Sequence, residues 1–371
     1  MAFAALFAAT AVPLIFLYLV HTLDLYGTGS SRAIALSFAW GAFSVLIAFA
    51  VYHLVQVRLG LIQGTPLVLY IAPALEETLK ALVLLYLVRR STFTYFVDGA
   101  IYGFAAGIGF AVFENVVYVY QNLDTGLGTA LGRVLSTNLM HASAGAIVGI
   151  ALGLARFRRF RRRALLLLVG LFLATLLHAA FNRLVMETGQ RRLFFYAMGI
   201  GLSGAAFTAL VIRRGLAAEK AWIAETLGAS NRITAAEAVA ATRVGSLDAA
   251  LQPLAQIFGP QKGVQIEDLL LLQAQLGILL KSIDRARQSG KTPEALAREL
   301  DRKQAKMEAV RRSLGAYTMA SLRMLFPAEG STLWQRLEAD LSAREKGGGM
   351  NLFALLESRS PARERDPDAG E

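Results

Sequence analysis

Cysteine is absent from the 371 residues, which excludes disulfide bonds, a thiolate nucleophile and cysteine-ligated metal sites. Histidine is scarce, with four in the whole chain. Acidic residues are scarce in residues 1–214, which hold 7 Asp and Glu against 17 Lys and Arg. Most of the net charge of +11 therefore lies in this part, where it indicates membrane orientation rather than nucleic-acid binding.

No Lys or Arg precedes Arg32, so the N-terminus lacks the charged segment that begins a secretory signal peptide. Hydrophobic residues instead form runs of the length that crosses a bilayer, about 20 residues for roughly 30 Å of hydrocarbon. We predict an all-α, polytopic membrane bundle. It has seven spans, near residues 3–21, 33–55, 66–88, 98–120, 128–155, 164–186 and 193–213.

Glycines are dense in the fourth and fifth predicted spans, and several lie four residues apart. Small residues at this spacing allow two helix backbones to approach closely in a membrane. We therefore predict that these glycines serve helix packing.

Arginines in the connections between spans determine the predicted orientation. Six of them lie in the segment RFRRFRRR, at residues 156–163, which should face the cytoplasm. With alternating spans, 11 basic residues fall on that side and 4 on the other. We predict a multi-pass protein of the cell membrane, with its N-terminus outside and its C-terminus in the cytoplasm.

Beyond residue 214, the long apolar runs give way to Leu, Ala, Lys and Glu at helical spacing. We predict a transmembrane domain at 1–214, a cytosolic helical domain at 215–357 and a disordered tail at 358–371. Cytosolic helices are expected near 234–243, 265–288, 293–324 and 332–345. These helices carry no chemical motif, so packing among themselves is the favoured role. Oligomerisation and a cytosolic partner are the alternatives.

Charged residues interrupt the third predicted span, whose middle carries Glu76, Glu77 and Lys80. Each charge would cost about 2.5–3.5 kcal/mol at the bilayer centre, so it should face a partner or a water-filled cavity. Polar residues also lie in the next three spans: Glu114, Asn115, Asn138, His141, His178 and Asn182. The alternating spans place these groups near the midplane or in the outer half, at one shared depth.

Structural roles alone could explain single members of this set. Glu76 and Lys80 lie four residues apart and could form an ion pair within one helix. Lys80 could instead hold Glu77 ionised or face the cytoplasm. No serine stands beside an evident base, so an activated water is the favoured nucleophile if the set is catalytic.

Glu114, His141 and His178 match the ligand set of catalytic zinc, which is two histidines and one glutamate plus water. Glu76 or Glu77 could then take a proton from that water. Asn182 or Asn138 could donate to a developing oxyanion. These residue types also suit a glutamate-activated water without any metal.

The same residues resemble the motifs of the PrsW intramembrane proteases, which are similar to the CAAX prenyl endopeptidase and bacteriocin-immunity superfamily. The motifs are Glu76–Glu77–x–x–Lys80, Phe110–x–x–x–Glu114–Asn115, His141 in HASAG, and His178–x–x–x–Asn182. The resemblance covers residues 66–186 and does not extend to the region from 215 onward. Glu114 stands where the CAAX branch has histidine, so prenylated substrates are not implied.

The resemblance implies an endopeptidase of a bacterial plasma membrane that cleaves a membrane protein, such as an anti-sigma factor, at an extracytoplasmic position. It places the general base at Glu76–Glu77. Glu114, His141, His178 and Asn182 complete the implied site, with or without zinc.

Two other functions remain open from the sequence. The ionisable residues could form the relay of a proton-coupled transporter or receptor, or the chain could be a non-catalytic scaffold. No internal repeat relates the two halves of the span set, which argues against a transporter.

Overall fold

The computed structural model describes residues 2–22, 24, 26–58, 64–91, 93–121, 127–187, 190–228, 233–243, 247–290 and 292–326. Eleven α-helices and two five-residue π-helices make up the regular structure of these ranges. The π-helices are Leu54–Arg58 and Leu67–Ile71. The all-α prediction is confirmed. The predicted helix at 332–345 and the predicted disordered tail at 358–371 lie outside the described residues.

The helices follow one another along the chain with short connections. The first six are α1 (Ala2–Thr22), α2 (Ser31–His53), α3 (Ala72–Leu87), α4 (Phe96–Gln121), α5 (Leu127–Ala155) and α6 (Phe160–Glu187). The other five are α7 (Gln190–Gly228), α8 (Ala235–Ala241), α9 (Leu247–Phe258), α10 (Pro260–Gln288) and α11 (Glu294–Leu325). Each of the seven predicted spans corresponds to one of the helices α1 to α7.

Six helical segments among the described residues are long and apolar enough to cross a membrane. Five of them belong to α2, α4, α5, α6 and α7. The sixth is α10, which the sequence analysis assigns to the cytosolic domain and which has more than half of the residues in its most apolar stretch buried inside the protein. The predicted spans 3–21 and 66–88 fall outside this group, the second because it carries three charges. The number of crossings therefore stays a prediction.

Helix α4 is the centre of the bundle. Its residues from Phe96 to Ala111 are all buried, and it contacts α1, α2, α3, α5 and α7. Its most extensive interface is with α5. Because α4 is central, side chains from the helices packed around it can meet at one place in the bundle.

Glycines make the α4–α5 interface close. A Cβ atom at Gly103 would lie 2.1 Å from the carbonyl oxygen of Gly145, and one at Gly107 would lie 2.1 Å from that of His141. Gly99 and Gly149 face each other in the same way. The predicted packing role is therefore visible in the structure, and it places the backbone of His141 directly against α4.

Helix α3 begins just before the acidic pair. Pro73 lies in its first turn, where the missing N–H of proline costs little. Because Pro73 cannot donate to the carbonyl of Leu69, the regular α-helical ladder is interrupted there, and the chain before α3 is the π-helix Leu67–Ile71.

The predicted domain boundary at residue 214 falls inside α7, which is 39 residues long and continues without a break. The hydrophobic core is continuous across that point, because Ile212, Leu216 and Ile223 belong to one cluster that also includes α10 residues such as Leu269. The division into domains stays a prediction.

Helices α8, α10 and α11 correspond to three predicted cytosolic helices. Thr234 caps α8 by accepting a hydrogen bond from the backbone N–H of Glu237 at 3.3 Å. The buried Glu237 carboxylate also accepts from Gln273 of α10 and from Arg311 and Arg323 of α11. One buried carboxylate thus joins three helices. Helix α9 is absent from the sequence prediction, and it contains Pro253 in its interior, a residue that usually interrupts a helix.

Gln275 of α10 donates hydrogen bonds to the carbonyl oxygens of Tyr26 and Gly27, both at 2.9 Å. Arg156 donates to the carbonyl oxygen of Arg90 at 3.1 Å. The connections α1–α2, α3–α4 and α5–α6 therefore meet at one end of the bundle, as the alternating spans predict.

We expect Gly103→Ala to destabilise the protein by at least about 1–3 kcal/mol, because the added methyl group would force α4 and α5 apart. Thermal unfolding of the purified protein in detergent measures this change. Gly199→Ala is the matched control, since a Cβ atom there has no neighbour within 4 Å. An unchanged melting temperature for Gly103→Ala would contradict the close packing.

Candidate active site

Polar side chains from four helices meet beside the glycine-lined interface. Glu76, Glu77 and Lys80 come from α3, and Glu114 comes from α4. His141 comes from α5 and His178 from α6. The imidazole rings of the two histidines lie 4.7 Å apart and nearly perpendicular. The expected convergence of these residues is therefore present.

Glu77 is completely buried, and its Oε1 atom has two donors. Lys80 Nζ lies 2.6 Å away, and His178 Nδ1 lies 2.8 Å away. Because a carboxylate can only accept, His178 carries its hydrogen on Nδ1 and leaves Nε2 with a lone pair. This carboxylate–histidine contact is the arrangement that orients histidines for metal binding.

Lys80 also contacts a second helix, because its Nζ lies 2.9 Å from Nδ1 of His141. An ammonium group can only donate, so Nδ1 of His141 accepts, and the hydrogen of a neutral ring is on Nε2. That Nε2 lies 2.9 Å from Glu114 Oε2. A continuous chain of hydrogen bonds thus runs from Glu77 through Lys80 and His141 to Glu114.

Phe110 covers this chain. Lys80 Nζ lies 4.8 Å from the centre of the Phe110 ring, and the ring of His141 lies 4.9 Å from it. Phe110 lies one turn before Glu114 on α4, so the aromatic residue of the second motif packs against the same cluster that Glu114 joins. The aromatic face stabilises the ammonium group and keeps water away from it.

Glu76 occupies the more accessible side of the cluster. Its Oε2 atom lies 3.7 Å from Nε2 of His178. Tyr52 of α2 donates its hydroxyl hydrogen to Glu76 Oε1 at 2.6 Å. Tyr52 is a site residue that the sequence analysis missed, since a single tyrosine in an apolar span gives no periodic or motif signal.

Lys80 pairs with Glu77, three residues before it, which decides between the alternatives left open for this lysine. The pairing of Glu76 with Lys80 considered from the sequence is not formed, because Glu76 points toward Tyr52 and His178. His178 of α6 contacts Glu77, and His141 of α5 contacts Lys80. These contacts from other helices favour Glu77 over Glu76 as the partner of Lys80.

The amides lie beside the cluster. Asn115 donates to Asn138 at 3.1 Å and so joins α4 to α5. Asn182 donates to the carbonyl oxygen of Val68 at 3.0 Å and joins α6 to the π-helix before α3. A catalytic role for Asn182 stays a prediction.

The donor set fits a metal ion in chemical type. Glu76, His141 and His178 each offer a ligand atom, and these atoms lie within 4.8 Å of one another. His141 would bind a metal through Nε2 only after Nε2 gives up the hydrogen that it directs to Glu114, and Lys80 would then pass a proton to Nδ1 and become a neutral amine. Ligands that share a tetrahedral zinc with bonds of about 2.0–2.1 Å lie roughly 3.3 Å apart, so small side-chain movements would close the site. The set predicted from the sequence has Glu114 in place of Glu76, and which glutamate binds a metal stays a prediction.

We expect Lys80→Met to lower stability by about 3–5 kcal/mol, because Glu77 would keep a buried charge without its cation. The double variant Lys80→Met/Glu77→Gln removes both charges and should regain most of the loss. Thermal unfolding in detergent measures both, with the exposed Lys220→Met as control. Equal losses in the single and double variants would contradict the pairing.

Comparison with known proteins identifies the arrangement. The model of a family described as "PrsW family intramembrane metalloprotease" matches residues 29–212. This range contains every residue of the cluster. No solved structure matches the chain.

Curated relatives give the same result. The chain is 31% identical over 183 residues to "Protease PrsW" of Bacillus subtilis, which covers 48% of this chain and 82% of the relative. The corresponding protein of Clostridioides difficile is 25% identical over 189 residues, with 49% and 79% covered. That of Halalkalibacterium halodurans is 38% identical over 97 residues, with 26% and 43% covered.

The region matched by the family model ends before α8, so this match says nothing about the helices α8 to α11. Membership of a family of intramembrane proteases accounts both for the long apolar helices of that region and for the polar cluster between them. The chain therefore belongs to the PrsW family of intramembrane proteases, and it is a multi-pass membrane enzyme whose substrates are membrane proteins.

Proposed function

We propose that this protein hydrolyses a peptide bond at the cluster of α3, α4, α5 and α6, with a metal ion held by Glu76, His141 and His178. The observation that supports the proposal is that the three carboxylates of the cluster differ in their exposure. Glu77 is fully buried, whereas the side chains of Glu76 and Glu114 are 13% and 28% exposed. Two carboxylates are therefore open to a substrate, and the third supports them.

Glu77 and Lys80 are assigned a positioning role. Glu77 fixes the tautomer and ring orientation of His178 through Nδ1, and Lys80 holds His141 through its own Nδ1. Outer contacts of this kind typically contribute 10–100-fold to metal affinity or activity. Tyr52 holds Glu76 in the same way through a hydrogen bond.

A metal at this triad would supply Lewis acidity toward the scissile carbonyl and would lower the pKa of water. The residues of the chain then handle the proton. Glu114 is assigned as the base, because its Oε2 is held 2.9 Å from His141 Nε2, beside the triad.

In the proposed reaction, one proton moves from water to the amide nitrogen through Glu114, a C–O bond forms and the C–N bond breaks. Glu114 Oε2 accepts a proton from water as the water oxygen bonds to the carbonyl carbon. The same carboxyl group then gives the proton to the amide nitrogen as the C–N bond breaks. Proton transfer of this kind contributes about 10²–10⁴-fold to the rate.

The substrate and orientation are also proposals. A substrate anchored by one helix, of which an anti-sigma factor is an example, suits a site enclosed by membrane helices. The arginine-rich end of the bundle is proposed to face the cytoplasm of a bacterial plasma membrane, because basic connections are retained on that side.

Three variants separate the assigned roles. Glu114→Gln should lower proteolysis of a single-span substrate by about 10²–10⁴-fold and leave metal content unchanged. His178→Ala should lose both metal and activity. Glu77→Gln should weaken metal binding by about 10–100-fold, because His178 loses its orienting partner.

These outcomes are measured with purified enzyme in proteoliposomes, by gel analysis of cleavage and by elemental analysis of bound metal. Glu187→Gln is the matched control, since Glu187 is exposed and pairs only with the neighbouring Arg183 among the described residues. Full proteolytic activity in both Glu114→Gln and His178→Ala would rule out the proposed site.

We expect active wild-type enzyme to contain about one equivalent of a divalent metal, in line with a single three-ligand site. A chelator should abolish cleavage, and added zinc should restore it. Elemental analysis and cleavage are followed in parallel during chelation. Undiminished activity in metal-free protein would replace the metal-assisted account with a glutamate-only mechanism, in which Glu76 is the accessible base beside His178.

A further inference from the structure

A large groove lies far from the polar cluster, at the end of the bundle where α10 contacts the membrane helices. Its volume is about 970 Å³, and it lies between the α5–α6 connection and the C-terminal end of α10. Gly153, Tyr95 and Phe157 form part of its wall. The proposed protease chemistry uses none of these residues.

The lining of this groove is strongly basic. Five arginines line it: Arg158, Arg159, Arg161, Arg162 and Arg285. Its lining contains no acidic residue, and none of these arginines forms an ion pair with a described carboxylate. Five guanidinium groups around one cavity repel one another, so an anion would stabilise the arrangement.

Arg285 shows that the basic lining does not come only from the arginine-rich segment that determines the predicted membrane orientation. It comes from α10, more than a hundred residues after the α5–α6 connection. Its guanidinium group lies 4.2 Å from the ring centre of Trp222 and 5.3 Å from that of Tyr95. These aromatic rings fix Arg285 against the arginines of the α5–α6 connection and the first turn of α6, so two distant parts of the chain build one basic site.

The apolar surface next to the groove indicates the kind of anion. Phe160 is 84% exposed, and Leu165 and Leu168, on the outer face of α6, are 60% and 63% exposed. Helix α6 is long and apolar enough to cross a membrane. The arginines therefore lie where the apolar belt ends, which is the level of the lipid headgroups.

We propose that this groove binds the phosphate of an anionic phospholipid, with the acyl chains along the exposed apolar face of α6. Guanidinium groups bind phosphate oxygens through paired, charge-assisted hydrogen bonds. Basic pockets next to membrane helices are suited to such headgroups. The bound lipid bridges the α5–α6 connection and α10, and it stabilises the docking of α10 on the membrane helices. The inference does not depend on the proposed protease mechanism.

The test uses the purified full chain in a neutral detergent, titrated with phosphatidylglycerol or with phosphatidylcholine. Native mass spectrometry measures lipid occupancy, and scanning fluorimetry measures the melting temperature. Phosphatidylglycerol should bind at least about tenfold more tightly than phosphatidylcholine and should raise the melting temperature. Each arginine at an anionic surface contributes roughly fivefold, so Arg159→Gln/Arg162→Gln should weaken phosphatidylglycerol binding by about 25-fold.

Arg285→Gln provides a second variant that leaves the arginines of residues 156–163, and hence membrane orientation, unchanged. It should weaken binding by at least about fivefold and remove the rise in melting temperature. The matched control is Arg213→Gln/Arg214→Gln, which removes two exposed arginines that do not line the groove. Glycerol phosphate and inorganic phosphate are added as competitors to separate the headgroup from the whole lipid.

Equal binding of the two lipids would overturn the proposal. So would equal losses in the groove variants and in the Arg213/Arg214 control, because general surface charge would then explain the binding. Full displacement of the lipid by millimolar inorganic phosphate would assign the site to a soluble anion instead of a lipid.

Discussion

The buried carboxylate of Glu77 is the constraint on which the rest of the site depends. An ionised group without partners would be costly inside a membrane bundle, yet Glu77 has a cation from its own helix and an imidazole from α6 within 2.8 Å. The cation in turn contacts α5, whose histidine contacts α4. Four helices are thus joined by one chain of polar contacts. None of these side chains can move far without exposing a charge to an apolar environment.

Close packing of the α4 and α5 backbones brings the side chains of this chain of contacts within hydrogen-bonding distance. The glycines of α4 and α5 bring the two backbones together, and the contact at Gly107 includes the carbonyl oxygen of His141 itself. A helix pair held apart by ordinary side chains would move His141 away from Glu114 by several ångströms, about the difference between glycine-mediated packing and the usual 8–10 Å interaxial distance. The packing residues and the polar residues therefore form one structural unit.

Much of this could be predicted from the sequence, because a charge in an apolar run is a strong signal and its partners had to lie in neighbouring runs. The meeting of Glu77, Glu114, His141 and His178 follows from that requirement. The partner of Lys80 could not be predicted, since residues three and four positions away on a helix are equally near, and contacts from other helices decide between them. The role of Tyr52 depends on how α2 is rotated, which the pattern of an apolar span does not reveal.

Helix α7 has a mechanical consequence. Its 39 residues form a rod about 58 Å long at 1.5 Å per residue, which is nearly twice the thickness of the hydrocarbon layer. One end packs beside α5 within the apolar bundle, and the other end packs against α10. A rigid rod of this length acts as a lever, because a tilt of about 5° at one end displaces the other end by roughly 5 Å. A change in the tilt of α7, such as a change in bilayer thickness produces, would therefore move the end of α7 that packs against α10.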